Sequence, residues 1–126
     1  MTRPIRPGDQ PPPTTGTGPG MHDLVITALR EHGGATLEPV VELLTQRRDI
    51  GLERYGRPLQ AWNGRDALRD LAEELADAIV YARQAGSEGY PLAELEVSLV
   101  HLLSGVLAMH APADPAVAAQ ILGSNS

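Results

Sequence analysis

From residue 21 onward, apolar residues recur at spacings of three and four rather than two, which predicts helices with one buried face. A first helix is expected from a cap at Asp23 to His32, where Gly33 and Gly34 stop it. Thr36 opens a second helix that continues to about Tyr55, with Pro39 in the first turn, where its missing N–H costs nothing. Residues 56–62 form a connection. Asn63 is the expected N-cap of a third helix, with Asp66 three residues on and Gly86 near its end. Pro91 begins a fourth helix ending near His110, and Asp114 and Pro115 start a short fifth that stops at Gly123. No alternating run is bounded as a strand would be. The expected class is all-α, a four-helix bundle with a short extra C-terminal helix.

Two of these helices have distinctive faces. At about 100° per residue, Leu68, Leu71, Leu75, Ala78, Ile79 and Ala82 of the third helix share one arc. The opposite arc carries Asp66, Asp70, Glu73, Glu74, Asp77, Tyr81 and Gln84. Its like-charged neighbours at i,i+3 and i,i+4 each destabilise the bare helix by roughly 0.2–0.5 kcal/mol. Arg69 can answer Asp66 or Glu73, whereas Arg65 and Arg83 point elsewhere. The fourth helix is apolar on most sides, broken chiefly by Glu94, Glu96 and His101. Such a helix must be covered on most sides. A small domain has little to cover it with, so part of this surface is expected to meet another subunit, with Gly105 allowing close approach. The alternative is that helices one and five wrap it within one chain.

Composition sharpens the picture. Residues 1–20 hold six Pro and four Gly with only Met1 and Ile5 apolar, and are expected to be a disordered tail ahead of one domain over 21–126. The chain has 17 Leu and 16 Ala but no Phe and no Cys, which suits packed helices and excludes disulfides and thiolate sites. All ten basic residues are Arg, so a phosphate-binding P-loop, which needs lysine, is excluded. Sixteen carboxylates give a net charge of −6, which argues against a broad nucleic-acid-binding surface. No apolar run approaches the ~20 residues of a membrane span. With no apolar signal core at the start, a cytoplasmic location is expected.

The second helix repeats the acidic arrangement. Glu42, Gln46, Asp49 and Glu53 follow at spacings of four, three and four along one face. If helices two and three form an antiparallel hairpin, Glu42 lies near Asp77, Gln46 near Glu74, Asp49 near Asp70 and Glu53 near Asp66. Water, protons or divalent cations would have to lie between such faces. Oxygen ligands select hard cations, and Mg²⁺ is the one that keeps water and takes substrate phosphates. A di-iron bundle needs Glu-x-x-His pairs, which are absent. The plainer alternative is that both stripes are solvated faces.

The segment 53–84 contains Tyr55-Gly56-Arg57-Pro58-Leu59, Asn63-Gly64-Arg65-Asp66 and Glu74-Leu75-Ala76-Asp77. In this combination it resembles the MazG-like all-α nucleoside triphosphate pyrophosphohydrolases, especially the short phage and bacterial versions. That family pairs Glu-Glu-x-x-Glu on one helix with Glu-x-x-Asp on the next. Glu74 and Asp77 supply the second half here, with Glu73 doubling the acid before it. Glu42 and Gln46 take the outer positions of the first half, and the 27 residues between Gln46 and Glu74 fit the gap. Leu43 and Gln46 stand where the family has glutamates. A shifted match through Glu38 and Glu42 places a proline inside it, and Asp49 or Glu53 are alternative replacements.

The resemblance implies Mg²⁺-dependent hydrolysis of an NTP or dNTP between the α and β phosphates, giving the monophosphate and pyrophosphate, by a homodimer or homotetramer. On that reading Glu42, Glu74, Asp77 and Asp49 are the expected metal ligands, and Glu73 and Asp70 the catalytic bases toward water. Gln46, Arg65, Tyr81, Trp62 and Asn63 are the expected substrate contacts, Arg65 for phosphate and the aromatics for a base. A phosphoribosyl-ATP or nucleotide-sugar hydrolase belongs to the same class. The Leu43 and Gln46 departures leave a second class open, a non-catalytic helical oligomerisation or regulatory module with the same fold.

Overall fold

A computed structural model describes residues 10–110 of the 126-residue chain. Among them are four α-helices, α1 (Met21–His32), α2 (Glu38–Tyr55), α3 (Ala67–Ser87) and α4 (Ala93–His110), with a 3-10 turn at Ala35–Leu37 leading into α2. The described residues contain no strand, only an isolated antiparallel bridge between Thr17 and Ala61. The class is therefore all-α. The expected fifth helix and the first nine residues of the expected tail lie outside the described residues. The chain divides into two compact units, one reaching to Arg65 and the other starting at Asp66.

In the first unit α1 packs on α2. The first helix starts two residues before its expected cap. Gly20 occupies the N-cap without a side-chain bond, and Asp23 lies in the first turn, where it accepts a 2.9 Å hydrogen bond from Arg48 of α2. An acid in the first turn is favoured by the free N–H groups there, and its partner ties the two helices together. α2 tolerates Pro39 at its start, as expected, and ends on Gly56, whose φ of 70° is the left-handed cap that glycine adopts without steric cost.

Residues 14–20 of the expected tail, and Met21 after it, are hydrogen-bonded to the segment 59–63. Thr14 N–H donates to the Asn63 carbonyl (2.8 Å), Thr17 N–H to Ala61 (2.9 Å) and Met21 N–H to Leu59 (2.7 Å). The Gln60 side chain accepts from Gly16 N–H and donates to the Gly18 carbonyl. Composition undervalues this segment for a physical reason: the run Pro11-Pro12-Pro13 has little conformational freedom to lose, and the bonds it leads into are backbone ones that need no apolar side chains. Gly16 is required here, because a Cβ at that position would strike the Ala61 carbonyl.

The second unit is a helical hairpin of α3 on α4 joined by residues 88–92. Its N-cap is Asp66, three residues later than expected; the Asp66 carboxylate accepts from the Arg69 N–H at 3.2 Å. On α3 the least exposed positions include Leu68, Ala72, Leu75, Ile79 and Ala82, and Leu92 at the end of the connection is followed on α4 by Glu96, Leu99, Leu103 and Val106. Both run at spacings of four, three, four and three, which is the seam of two helices packed nearly along each other. Glu96 lies in that seam. Arg83 of α3 meets it with two 2.6 Å hydrogen bonds, and these hold the Glu96 carboxyl below its ordinary range. The connection ahead of α4 leaves an open hollow of about 820 Å³ beside this pair, lined by Ala82, Tyr90, Leu92 and Val97.

Candidate functional site

The acidic face of α3 divides into two grades of exposure. Asp70 and Glu73 are half-buried, and Glu73 Oε1 stands 4.0 Å from Arg69 Nε. Glu74 and Asp77, one turn apart, are exposed, and neither enters an ion pair among the described residues. Tyr81 continues the same face with 66% of its surface open, and Gln84 follows it, also exposed. The stripe is therefore a row of carboxylates ending in an aromatic ring, as its 3.6-residue period predicts.

On α2, Glu42, Gln46, Asp49 and Glu53 are all exposed. Asp49 is engaged by Arg48 Nε at 3.1 Å, and the same guanidinium reaches Asp23. These two carboxylates hold Arg48 more firmly protonated than usual. Asp49 is thus the member of the α2 row whose charge is already answered. In neither unit do three or more His, Asp or Glu among the described residues gather in a group that could hold a metal ion.

The turn before α3 carries three further expected contacts. Trp62 has a φ of 59°, a left-handed backbone unusual for a large side chain, and is 86% exposed. Asn63 is buried at 7%, and its side-chain oxygen accepts from the Arg65 N–H two residues on. That local bond is why Asn63 does not cap α3: the side chain closes a turn of its own. The Asn63 carbonyl also accepts from both the backbone and the hydroxyl of Thr14. Arg65 Nη1 donates to the Pro11 carbonyl at 2.9 Å, and Arg57 Nη1 to the Thr15 hydroxyl at 2.8 Å.

The bonds made by the segment 11–21 and by Arg57, and the Arg48 and Arg83 pairs, do not follow from residue spacing. A hint was present for the first: threonines flank Gly16 within an otherwise Pro- and Gly-rich stretch. Side chains that pair across elements carry no periodic signal, so Arg83 and Glu96 were not readable as partners. Compared with family models, curated proteins and solved structures, the chain matches none.

Proposed function

We propose that the chain is a Mg²⁺-dependent nucleoside triphosphate pyrophosphohydrolase of the MazG-like four-helix type. The observation that carries the reading is the exposed Glu74 and Asp77 pair on α3, backed by half-buried Glu73 and Asp70, inside the segment whose motifs resemble that family. The donor chemistry fits the ion. Mg²⁺ takes one or two carboxylates and completes its shell with water and substrate phosphates, so a two-carboxylate set with open space suits it. When bound, it supplies charge neutralisation for the triphosphate and acidifies water.

The protein's own part is positional and basic. Glu74 and Asp77 hold negative charge at a fixed spacing, which repels a bare triphosphate and favours a metal-paired one. Glu73 or Asp70 takes the proton from the attacking water. The water oxygen bonds to the α phosphorus, the bond to the bridging oxygen breaks, and pyrophosphate leaves with that electron pair. General-base catalysis of this kind contributes about 10²–10⁴-fold. Self-association through α4 belongs to the same reading. It is supported by Leu95, Val97, Val100, Leu102, Leu107 and Met109, all exposed on that helix.

The test is pyrophosphate release from a panel of NTPs and dNTPs with Mg²⁺. Wild type is expected to release it from at least one, and Glu74→Ala to lose the activity. Undiminished release in the variant, or none from any nucleotide, defeats the proposal. The exposed apolar positions of α4 also favour a second reading, a non-catalytic assembly module. Thermal shift separates the two, since Mg²⁺ with nucleotide raises the melting temperature only of a chain that binds them.

A further inference from the structure

Arg48, Arg69 and Arg83 each face a carboxylate: Asp23 and Asp49 for the first, Glu73 for the second and Glu96 for the third. Arg57 is different. Its Nη1 donates to the Thr15 hydroxyl at 2.8 Å, and among the described residues it enters no ion pair. The segment 54–65 around it holds no Asp or Glu, in a chain where sixteen carboxylates face ten arginines. Thr15 and Arg57 are both exposed, and both belong to the same compact unit. A full positive charge is thus set against a neutral oxygen at the surface.

The chain around Thr15 suits an acceptor of group transfer. Pro11, Pro12 and Pro13 precede it, Gly16 and Gly18 follow it, and no helix begins before Met21. The neighbouring amides are fastened through Thr14, Gly16 and Thr17, whereas Thr15 makes only the Arg57 hydrogen bond among the described residues. Lifting its side chain into an enzyme therefore costs one exposed hydrogen bond. From this arrangement we propose that Thr15 is a phosphorylation site and that Arg57 holds the phosphate. Thr15 Oγ1 attacks the γ phosphorus of a nucleoside triphosphate bound to a protein kinase. The bond to the leaving diphosphate breaks with its electron pair, and the hydroxyl proton passes to a base of the kinase. The product carries about 1.5–2 negative charges on three acceptor oxygens. These stand one bond beyond an oxygen that the guanidinium already reaches, so charge-assisted bonds replace a neutral one.

The neighbouring threonines are less suited. Thr14 Oγ1 donates to the Asn63 carbonyl at 2.9 Å, so a phosphate there loses the donor and sets negative charge against a carbonyl oxygen. The Thr17 hydroxyl makes no hydrogen bond among the described residues, so a phosphate there is built on an oxygen that no guanidinium holds. Phosphorylation at Thr15 therefore tightens the segment on residues 59–63, and phosphorylation at Thr14 loosens it. The tightened stretch lies along the connection that leads from α2 toward α3, so the modification governs how freely that connection opens. None of the α3 carboxylates takes part, and the proposal is independent of the hydrolase reading.

The full-length chain is incubated with ATP, Mg²⁺ and a panel of proline-, acid- and base-directed protein kinases, and mass spectrometry locates the phosphate. Thr15 is expected to be the main acceptor among Thr14, Thr15 and Thr17. The full-length chain with phosphothreonine incorporated at position 15 during translation then reports the pairing. Its phosphorus resonance should titrate roughly one pH unit below that of the same phosphothreonine in Arg57→Gln. The Thr14 and Thr17 amides should exchange with deuterium about tenfold more slowly than in the unmodified chain, and Arg57→Gln should abolish that gain. Circular dichroism checks that the helices of the variant persist. Failure of every kinase to modify Thr15 overturns the proposal, as does a preference for Thr14 or Thr17. A phosphate that titrates alike with and without Arg57, or unchanged amide exchange, overturns it equally, because Arg57 then does not hold the group.

Discussion

Glu96 shows how one residue can read wrongly in isolation. In the sequence it is a polar break in the most apolar helix; in the hairpin it is a seam residue bonded twice to Arg83. The bonds lower its pKa from the ordinary 4.5, and the same contact raises that of Arg83. A carboxylate with a depressed folded pKa contributes stability that is fully present above its unfolded pKa and is lost as pH falls through the folded value. Chemical denaturation from pH 7 to pH 3 should therefore show a loss of stability that begins below about 4.5 and deepens toward lower pH. Glu96→Gln should lower stability at neutral pH and flatten this limb. An unchanged limb in the variant would mean that other carboxylates carry the acid sensitivity. At the candidate site, the same scale separates Asp49, already paired with Arg48, from Glu74 and Asp77, which have no such partner among the described residues.

Among the elements, what was legible was whatever repeats. The two acidic stripes and the apolar arc of α3 follow from period alone, and the arc's Leu68, Leu75, Ile79 and Ala82 do lie in or beside the seam. Leu71, at the edge of that arc, stays 46% exposed, because two helices cover only a narrow strip of each other. What was illegible was local competition for hydrogen bonds. Asn63 and Asp66 are both good N-caps by type, and only the turn that Asn63 closes with Arg65 decides for Asp66. Asp66→Ala should thus destabilise α3 by about 1 kcal/mol, measured by urea denaturation. Asn63→Ala should act elsewhere, loosening the turn that displays Trp62. The segment 14–21 offers a sharper test of element-level structure. Gly16→Ala forces it away from Ala61, so the amides of Thr14, Thr17 and Met21 should exchange with deuterium much faster while those of α3 and α4 keep their protection. Equal protection in the variant would show that the segment has another way to pair.

For the molecule as a whole, α4 poses the remaining physical problem. Its seam takes up Leu99, Leu103 and Val106, and two apolar columns flank that seam: Leu95, Leu102 and Met109 on one side, Val100 and Leu107 on the other, all exposed. Cover for them has to come from outside the α3–α4 hairpin. After Glu96, α4 holds no Asp, Glu, Lys or Arg, so a second α4 would meet it without repulsion between such charges. The rest of the chain, at −6, does repel its copy. Added salt screens that repulsion and leaves apolar contact intact, so association should strengthen with ionic strength, opposite to an association held by ion pairs. Light scattering behind size exclusion should give a mass that is a small multiple of 13.4 kDa and grows or holds as salt rises. Leu102→Glu combined with Met109→Glu places charges along one column and should return the mass to that of a single chain, with the helix content kept. Wild-type protein that runs as a single chain at micromolar concentration would instead assign the cover of α4 to its own chain.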